Sequence, residues 1–290
     1  MKAGILEHNP VKKIEIVRAK DHQSFSCTDE VSVEEPLEIR VSYLEDGQKL
    51  KKNISVTMRT PGNDAELAAG FLFTEGIISD PQQIKKVNRL QAGCSVNSGN
   101  VITVELSAGF IPQLMNADRN FYTTSSCGVC GKGSIESIKT VSPFQNLKKK
   151  PQMVSLETIY QLAEKLRTFQ NNFSATGGIH ASGIFDNEGN LLALREDVGR
   201  HNALDKLIGN ALMTGQLPLQ DRILVLSGRA SFELIQKAAM AGLSIVAAIG
   251  APSSLAVDLA KEFDMTLLGF LRNNRFNIYH KSSQIEIIME

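Results

Sequence analysis

Hydrophobic residues in the second half of the chain recur with two alternating periods. Residues 155–169 and 198–213 carry apolar side chains at the spacing of about 3.6 residues that is typical of amphipathic helices. Short apolar runs with the length of buried strands accompany them, namely 179–185, 191–194, 223–226, 245–249 and 266–271. Ser231 and Ser253 are candidate helix starts between the last three runs. This order predicts a three-layer α/β domain whose later strands are parallel and buried.

The first third of the chain has mostly the period of two that is typical of strands. Residues 38–44 and 50–58 flank Asp46-Gly47, a dipeptide that favours a tight hairpin turn. Residues 100–106 form a further alternating run. Between them we expect one helix that is capped by Asp64 and closed by Gly76. Its apolar face would consist of Leu67, Ala68, Phe71 and Leu72.

The segment around residues 120–151 has a different composition. It is rich in Ser, Gly and Lys and shows no sustained apolar period. We therefore expect a β-rich domain over residues 1–120, a mobile connector over 121–150 that carries a Cys-x-x-Cys motif, and an α/β domain over 151–290. The fold class is α/β, and α+β over the whole chain.

Composition excludes some classes of function. The chain has 290 residues, 42% of them hydrophobic, with 31 basic and 31 acidic side chains. A net charge of zero predicts no general attraction to nucleic acid or to an anionic membrane, so an anionic ligand must be bound by local groups. The sequence shows neither a secretory signal nor the roughly 18 to 20 apolar residues of a membrane span. We expect a cytoplasmic protein.

The cysteines supply the first candidate chemistry. Of the four in the sequence, Cys127 and Cys130 lie three positions apart among glycines. Lys132 follows them, and Ser134 resembles the N-cap of a short helix. A nearby cation and a helix N-terminus both favour thiolate over thiol, so we expect at least one nucleophilic cysteine.

Three interpretations of this dithiol remain open from the residues alone. A structural zinc site needs about four ligands, and Cys94 together with His180 or His201 would have to complete it. A thioredoxin-like dithiol would require an early strand and a long helix around the motif, which the flanking sequence does not show. Two inert loop cysteines are the third interpretation, which the glycine-rich, cationic setting disfavours.

Several motifs together resemble one known family. They are Cys127-Gly-Val-Cys-Gly-Lys132, Met58-Arg-Thr-Pro-Gly62, Gly70-Phe-Leu-Phe-Thr-Glu-Gly76, Gly177-Gly-Ile-His-Ala-Ser182, Glu196-Asp-Val-Gly-Arg-His-Asn-Ala-Leu-Asp-Lys206, Ser227-Gly-Arg229 and Gly269-Phe-Leu-Arg-Asn-Asn-Arg-Phe-Asn-Ile-Tyr279. In this order, over nearly the whole chain, they resemble the formate dehydrogenase accessory sulfurtransferase family, FdhD/NarQ. Such a collinear set is more specific than any single motif within it.

The resemblance implies a cytoplasmic sulfur carrier. Cys127 would take persulfide sulfur from a cysteine desulfurase and pass it to the molybdenum or tungsten bis-guanine-dinucleotide cofactor before the cofactor enters formate dehydrogenase. The resemblance also implies a homodimer and a cytidine-deaminase-like fold for the C-terminal domain. The deaminase metal is not expected, because the chain lacks a His-x-Glu motif and Ser125-Ser126 stands directly before Cys127. Our own hypothesis is that Cys130 resolves or assists the persulfide.

The same resemblance indicates the cofactor-binding stretch. It consists of Phe270, Leu271, Arg272, Asn273, Asn274 and Arg275. The two arginines can bind phosphate oxygens with paired N–H groups, and the two asparagines can contact the edge of a base. A solvated turn leading into a strand at 276–279 is the alternative, since Asn-Asn also favours turns. Weaker candidates are Gly177, Gly178, His180 and Arg229.

Two further alternatives remain. Asp197, His201 and Asp205 recur every four residues on one helix face, which is compatible with a metal site, although helix capping by Asp197 and a surface ion pair explain them more simply. In place of sulfur transfer, the chain could be a chaperone that binds the cofactor while its dithiol only senses redox state. A zinc-dependent deaminase relative is the third function considered.

Overall fold

The computed structural model describes residues 9–90, 99–112, 142–144, 147–148 and 150–288. Cys94, Cys127 and Cys130 lie outside this part of the chain. The strands are β1 Val11–Lys20, β2 Gln23–Ser32, β3 Glu35–Glu45, β4 Gln48–Arg59, β5 Ile84–Arg89, β6 Val101–Leu106, β7 Gln152–Ser155, β8 His180–Phe185, β9 Leu191–Asp197, β10 Ile223–Leu226, β11 Ile245–Ala248, β12 Thr266–Arg272, β13 Arg275–His280 and β14 Ile285–Ile288. The helices are α1 Asp64–Thr74, α2 Leu156–Phe169, α3 Asn171–Thr176, α4 Arg200–Met213, α5 Phe232–Met240 and α6 Ser254–Glu262.

The N-terminal half contains a four-stranded sheet in the order β4-β3-β6-β5. Its hairpin turns at Asp46 and Gly47, where both residues have positive φ, 49° and 77°. The alternating pattern of β3 places Leu37, Ile39 and Val41 in the core. The predicted hairpin is confirmed.

The C-terminal half is built on a six-stranded sheet in the order β13-β12-β11-β10-β8-β9. Strands β10, β11 and β12 are parallel, as predicted. Along β10, Ile223 and Val225 pack on the side of α2, while Leu224 and Leu226 pack on the side of α4, α5 and α6. Because both faces are covered by helices, the domain has three layers and its short strands are continuously apolar. The predicted fold class is confirmed.

The two sheets share one hydrophobic core through the contact between α1 and α4. Glycine is required at this crossing. A Cβ on Gly70 would collide with the carbonyl oxygen of Asp205, and a Cβ on Gly209 would collide with that of Glu66. The helix backbones therefore approach more closely than residues with side chains permit.

Three local features differ from the sequence predictions. Asp64 is the first residue of α1 and not its cap; Asn63 occupies the N-cap position in the left-handed conformation without a side-chain bond. The Asp64 carboxylate instead pairs with the fully buried Arg59 and with Arg89. The hairpin of β1 and β2 and the parallel pair of β14 and β7 were not predicted individually. The limits of the connector stay a prediction, since most of it lies outside the described residues.

No helix in the described part of the chain is both long enough and apolar enough to cross a membrane.

Candidate functional site

The candidate cofactor-binding residues converge on one edge of the large sheet. The parallel strands β10, β11 and β12 end there, whereas β8 runs antiparallel to β10 and begins there. Gly177, Gly178 and His180 at the start of β8, Arg229 after β10 and the end of β12 therefore lie along the same edge. In open α/β sheets this carboxyl edge is the usual place for a ligand.

Backbone hydrogen bonds tie the loops of this edge together. Phe270 N–H donates to the carbonyl of Gly250 at 3.1 Å, and Gly250 N–H donates to that of Gly228 at 2.9 Å. At the next strand, Ala181 N–H donates to the Ser227 hydroxyl at 2.8 Å. The loops that follow β10, β11 and β12 therefore form one connected rim.

The segment 270–275 forms the tip of a β-hairpin. Arg272 pairs with Arg275 across a two-residue turn in which Asn274 has φ 62°. The alternative prediction of a turn is thus correct for the backbone. The side chains of residues 272–275 are exposed, so the turn still presents two guanidinium groups and two amides to solvent.

Two residues of the segment differ in what they can offer a ligand. Leu271 is 0% exposed and packs in the core on the α2 side, so only its backbone could contact a bound molecule. Phe270 is 38% exposed and has φ 53°, which is rare for a residue of this size. It lies in a β-bulge between Gly269 and Arg272. Strained backbone of this kind is frequent at binding sites.

Gly177 and Gly178 have a structural explanation at the start of the edge. Gly177 closes α3 in the left-handed conformation with φ 68°. A Cβ on Gly177 would meet no atom within 4 Å, and one on Gly178 would approach only the carbonyl of Thr176. Both positions border open space.

His180 is half-buried beside the loop that follows β10. A Cβ on Gly228 would lie 3.3 Å from its Nδ1 atom. Burial lowers the pKa of His180, and the charges of Arg200 and His201 lower it further, against the opposing effect of Asp197. His180 is therefore a neutral imidazole near neutral pH.

His201 belongs to a polar cluster between α4 and α5. Its Nε2 atom lies 2.8 Å from a carboxylate oxygen of Glu233 and 3.3 Å from the hydroxyl of Ser231. Its Nδ1 atom and the Nε atom of Arg200 are buried without a hydrogen-bond partner in the described structure. The sequence did not indicate Arg200 or Glu233, because their neighbours come from separate helices and strands.

Asp197, which the sequence predicts as the cap of α4, is the last residue of β9 and lies outside the helix. Asp197 is 0% exposed, and its carboxylate lies 2.7 Å from the Lys206 ammonium and accepts from Thr60 N–H at 3.1 Å. Asp197 does accept one N–H bond before the helix, from Gly199 at 2.8 Å. The Asp197 carboxylate therefore links the Met58-Arg-Thr-Pro-Gly62 segment to the residues directly before α4.

The predicted surface ion pair on α4 is wrong, because Asp205 is also buried, one turn after His201. The Lys237 ammonium lies 3.0 Å from both carboxylate oxygens of Asp205, and the Thr74 hydroxyl donates to the same carboxylate at 2.8 Å. Burial lowers the pKa of Lys237, but the carboxylates of Asp205 and Glu75 outweigh burial and raise it. Asp197, His201 and Asp205 therefore have three different partners, and this pattern explains their spacing without a metal.

Across the described residues, no three His, Cys, Asp or Glu side chains are placed to hold a metal ion. The zinc alternative that uses Cys94, Cys127 and Cys130 depends on residues outside that part of the chain.

Comparison with known proteins gives a consistent result. The model of the FdhD/NarQ family matches residues 32–286. The sulfur carrier protein FdhD of Mycolicibacterium paratuberculosis is 48% identical over 266 residues, which cover 91% of this chain and 94% of that protein. The protein of the same name from Picrophilus torridus is 44% identical over 258 residues, with 89% and 92% covered.

A solved structure has the same fold. It is described as that of "a putative formate dehydrogenase accessory protein from Desulfotalea psychrophila" and matches with a TM-score of 0.69 and 22% sequence identity, over 96% of this chain and 100% of the other. The family match over most of the length, together with relatives of nearly equal length, establishes that this chain belongs to the FdhD/NarQ family.

Proposed function

We propose that this chain is a sulfur carrier that serves formate dehydrogenase. It accepts persulfide sulfur from a cysteine desulfurase on Cys127 and passes it to the molybdenum or tungsten bis-guanine-dinucleotide cofactor. The observation that carries the proposal is the match over nearly the whole chain to relatives named sulfur carrier protein. The Cys127-Gly-Val-Cys130 motif supplies the dithiol that such a role requires.

The loading step is a thiol exchange extended by one sulfur. The Cys127 thiolate attacks the outer sulfur of the persulfide on the desulfurase. The sulfur–sulfur bond of the donor breaks, its cysteine leaves as a thiolate, and Cys127 becomes the new persulfide. No net oxidation or reduction occurs in this step.

Delivery of a sulfido ligand requires two electrons. Attack of the Cys130 thiolate on the inner sulfur of the Cys127 persulfide would expel the outer sulfur at the sulfide level. The two cysteines would be left as a disulfide, which a cellular dithiol then reduces. Cys130 is the resolving thiol in this scheme.

Binding of the acceptor is assigned to the carboxyl edge of the large sheet. The acceptor is a substrate that carries two guanines and two pyrophosphates, and the exposed Arg272 and Arg275 side chains suit its phosphate oxygens. Asn273 and Asn274 stand next to them and can contact a guanine edge. The chain as a whole has no net charge, so these local groups must supply the attraction.

The direct experiment is incubation of the purified chain with a cysteine desulfurase and cysteine, followed by mass spectrometry of its peptides. We expect the mass of one added sulfur on the peptide that contains Cys127, removable by a thiol reductant. An unmodified Cys127 peptide, under conditions where the desulfurase itself carries persulfide, would contradict the proposal.

Guanine nucleotide binding gives a second prediction. The variant Arg272→Ala with Arg275→Ala is expected to bind GDP about a hundredfold more weakly, because two charge-assisted contacts are lost. Each lost contact is taken as roughly 1.4 kcal/mol, which corresponds to a tenfold change in affinity. ADP should bind the parent chain much more weakly than GDP does. Calorimetry measures both affinities.

The matched control is Arg222→Ala with Lys261→Ala, which removes one cation directly before β10 and one in the last turn of α6, both away from the hairpin tip. This variant should bind GDP like the parent. If both double variants retain the parent affinity, the hairpin tip is not the nucleotide site.

A further inference from the structure

The hairpin of β1 and β2, residues 11–32, forms a ribbon that stands largely away from the rest of the chain. None of its twenty strand residues is buried, although the two strands pair over ten successive positions. Among the described residues its main contact with the body is α3, where the hydroxyls of Ser32 and Thr176 lie 2.8 Å apart. A two-stranded ribbon alone in water is only marginally stable, so a ribbon of this length favours a partner that covers it.

One face of the ribbon is apolar. Residues directly opposite each other in an antiparallel pair point to the same face, and every second residue of each strand shares it. The register therefore places five apolar side chains together, those of Ile14, Ile16, Phe25, Cys27 and Val31. Phe25 is 48% exposed and Val31 is 36% exposed. These five residues form the apolar face of the ribbon.

The opposite face satisfies its polar groups within the ribbon. The Lys13 ammonium lies 3.8 Å from the Glu30 carboxylate, and the Thr28 hydroxyl donates to the Glu15 carboxylate at 2.9 Å. Val17 is an exposed apolar residue on this polar face, opposite a serine. The surface that lacks a partner is therefore the apolar face.

The charge of the ribbon limits what can cover this face. Residues 11–32 contain four basic and four acidic side chains, so the ribbon has no net charge. An anionic membrane or an acidic protein segment would gain no net attraction to it. The occupant should be apolar in its centre and carry charges of both signs, and a second copy of the ribbon has these properties.

We propose that the apolar face of the ribbon packs against the same face of a second copy of this chain, with the tip of one ribbon over the base of the other. Five residue pairs of the ladder lie on this face, and Ile16 with Cys27 is the third of the five. A two-fold axis across the middle of the ribbon therefore places Cys27 of one copy opposite Cys27 of the other, and Ile16 opposite Ile16.

Charges select this arrangement over one with tip above tip. With the tip over the base, Asp29 of each copy lies level with Arg18 of the other, which gives two pairs of opposite charge. Tip above tip would place each of these side chains level with its own counterpart. Within one copy the two groups are 3.7 Å apart, and about half of each side chain is exposed, so each can reach a second partner. Lys12 and Lys20 are exposed at the ends, where salt screens like charges.

The size of the face predicts how strong the association is. With ten residues per strand, the face is roughly 33 Å long and roughly 10 Å wide. This is less than the roughly 800 Å² per partner of a standard stable interface, so the dimer should dissociate on dilution. The family match begins at residue 32, so family membership does not imply this surface. The inference also goes beyond the proposed function, in which no step requires a second copy.

Cross-linking of the native chain with a short bis-maleimide tests the arrangement directly. Sheets that pack face to face lie about 10 Å apart, so a reagent that bridges two thiols suits this distance better than a disulfide does. We expect mass spectrometry to find a peptide linked through Cys27 to Cys27, which can form only between two copies. Ser26→Cys with Cys27→Ala moves the thiol to the polar face and should abolish the link between copies.

Ile16→Lys measures what the apolar face contributes. It places two like charges at the two-fold axis and should raise the dissociation constant of self-association at least tenfold in sedimentation equilibrium. Val17→Lys is the matched control, because it adds the same charge at the neighbouring position on the polar face, where the native side chain is 71% exposed. This control should associate like the parent.

Each outcome decides the proposal. A link between two Cys27 residues that is present in the parent, retained in Val17→Lys and lost in Ile16→Lys supports it. Absence of the link, or equal self-association of the two variants, overturns it, and this includes a chain that dimerises through another surface. Ile16→Lys should still load sulfur on Cys127, so failure of this proposal and failure of the sulfur-carrier proposal are separable.

Discussion

Cys127→Ala is expected to carry no sulfur after incubation with a cysteine desulfurase and cysteine, because the nucleophile that accepts the persulfide is missing. Cys130→Ala should still load sulfur on Cys127 but should release it poorly, since no neighbouring thiol can expel it. Peptide mass spectrometry measures loading, and the activity of formate dehydrogenase in cells that depend on this chain measures delivery. Both variants should fail to support that activity.

Cys27 provides the matched control for this pair. It lies on β2 as a free cysteine and has no place in the proposed chemistry. Cys27→Ala should load and deliver sulfur like the parent. Equal persulfide on Cys127→Ala and the parent would show that another residue is the carrier.

Lys237→Met is expected to lower the free energy of unfolding by about 3 to 5 kcal/mol. The change leaves the carboxylate of Asp205 buried without its cation, at the contact of α1, α4 and α5. Lys261→Met is the matched control, since Lys261 occupies the last turn of α6 as Lys237 occupies that of α5, but is exposed. Urea unfolding of both variants measures the difference.

A double variant that removes both charges distinguishes the stabilisation by the ion pair from the cost of leaving one buried carboxylate unpaired. Because an apolar replacement of a whole buried pair is often tolerated, Asp205→Leu with Lys237→Met should be more stable than Lys237→Met alone. If Lys237→Met is as stable as Lys261→Met, the buried pair does not hold these helices together.

Much of the fold follows from local sequence signals. The run Ile223–Leu226 is a strand with the predicted bounds, and α5 and α6 start directly after Ser231 and Ser253. Continuous apolar runs between amphipathic helices leave a parallel, helix-covered sheet as the natural arrangement. Strong periodicity over several elements made the C-terminal half of the chain predictable.

The missed elements lack such signals. The β1–β2 hairpin turns at Asp21 and His22, both with positive φ, and not at a glycine-containing pair. β5 has polar or charged residues at four of its six positions, and β14 pairs with β7 across more than a hundred residues of chain. Contacts between segments far apart in sequence leave no local pattern to read.

The candidate site shows the same limit. The sequence indicated Arg229, His180 and the hairpin tip separately, and the topology places them on one edge. The contact of His201 with Glu233 could not be predicted, because it joins the first turns of two helices. Asp197 was interpreted only as a helix cap, because its partner Lys206 and the backbone N–H of Thr60 are brought to it by the packed fold.

In the proposed function, sulfur passes through this chain to formate dehydrogenase. The most direct test loads the chain with isotope-labelled sulfur from a desulfurase, removes the desulfurase and free cysteine, and adds apo-formate dehydrogenase with its sulfur-free cofactor. If the chain is a sulfur carrier, labelled sulfur should appear in the cofactor of an active enzyme, with a matching loss of label from Cys127. If the parent and Cys127→Ala activate the enzyme equally and no label is transferred, the sulfur-carrier role is contradicted and the chain is a cofactor chaperone.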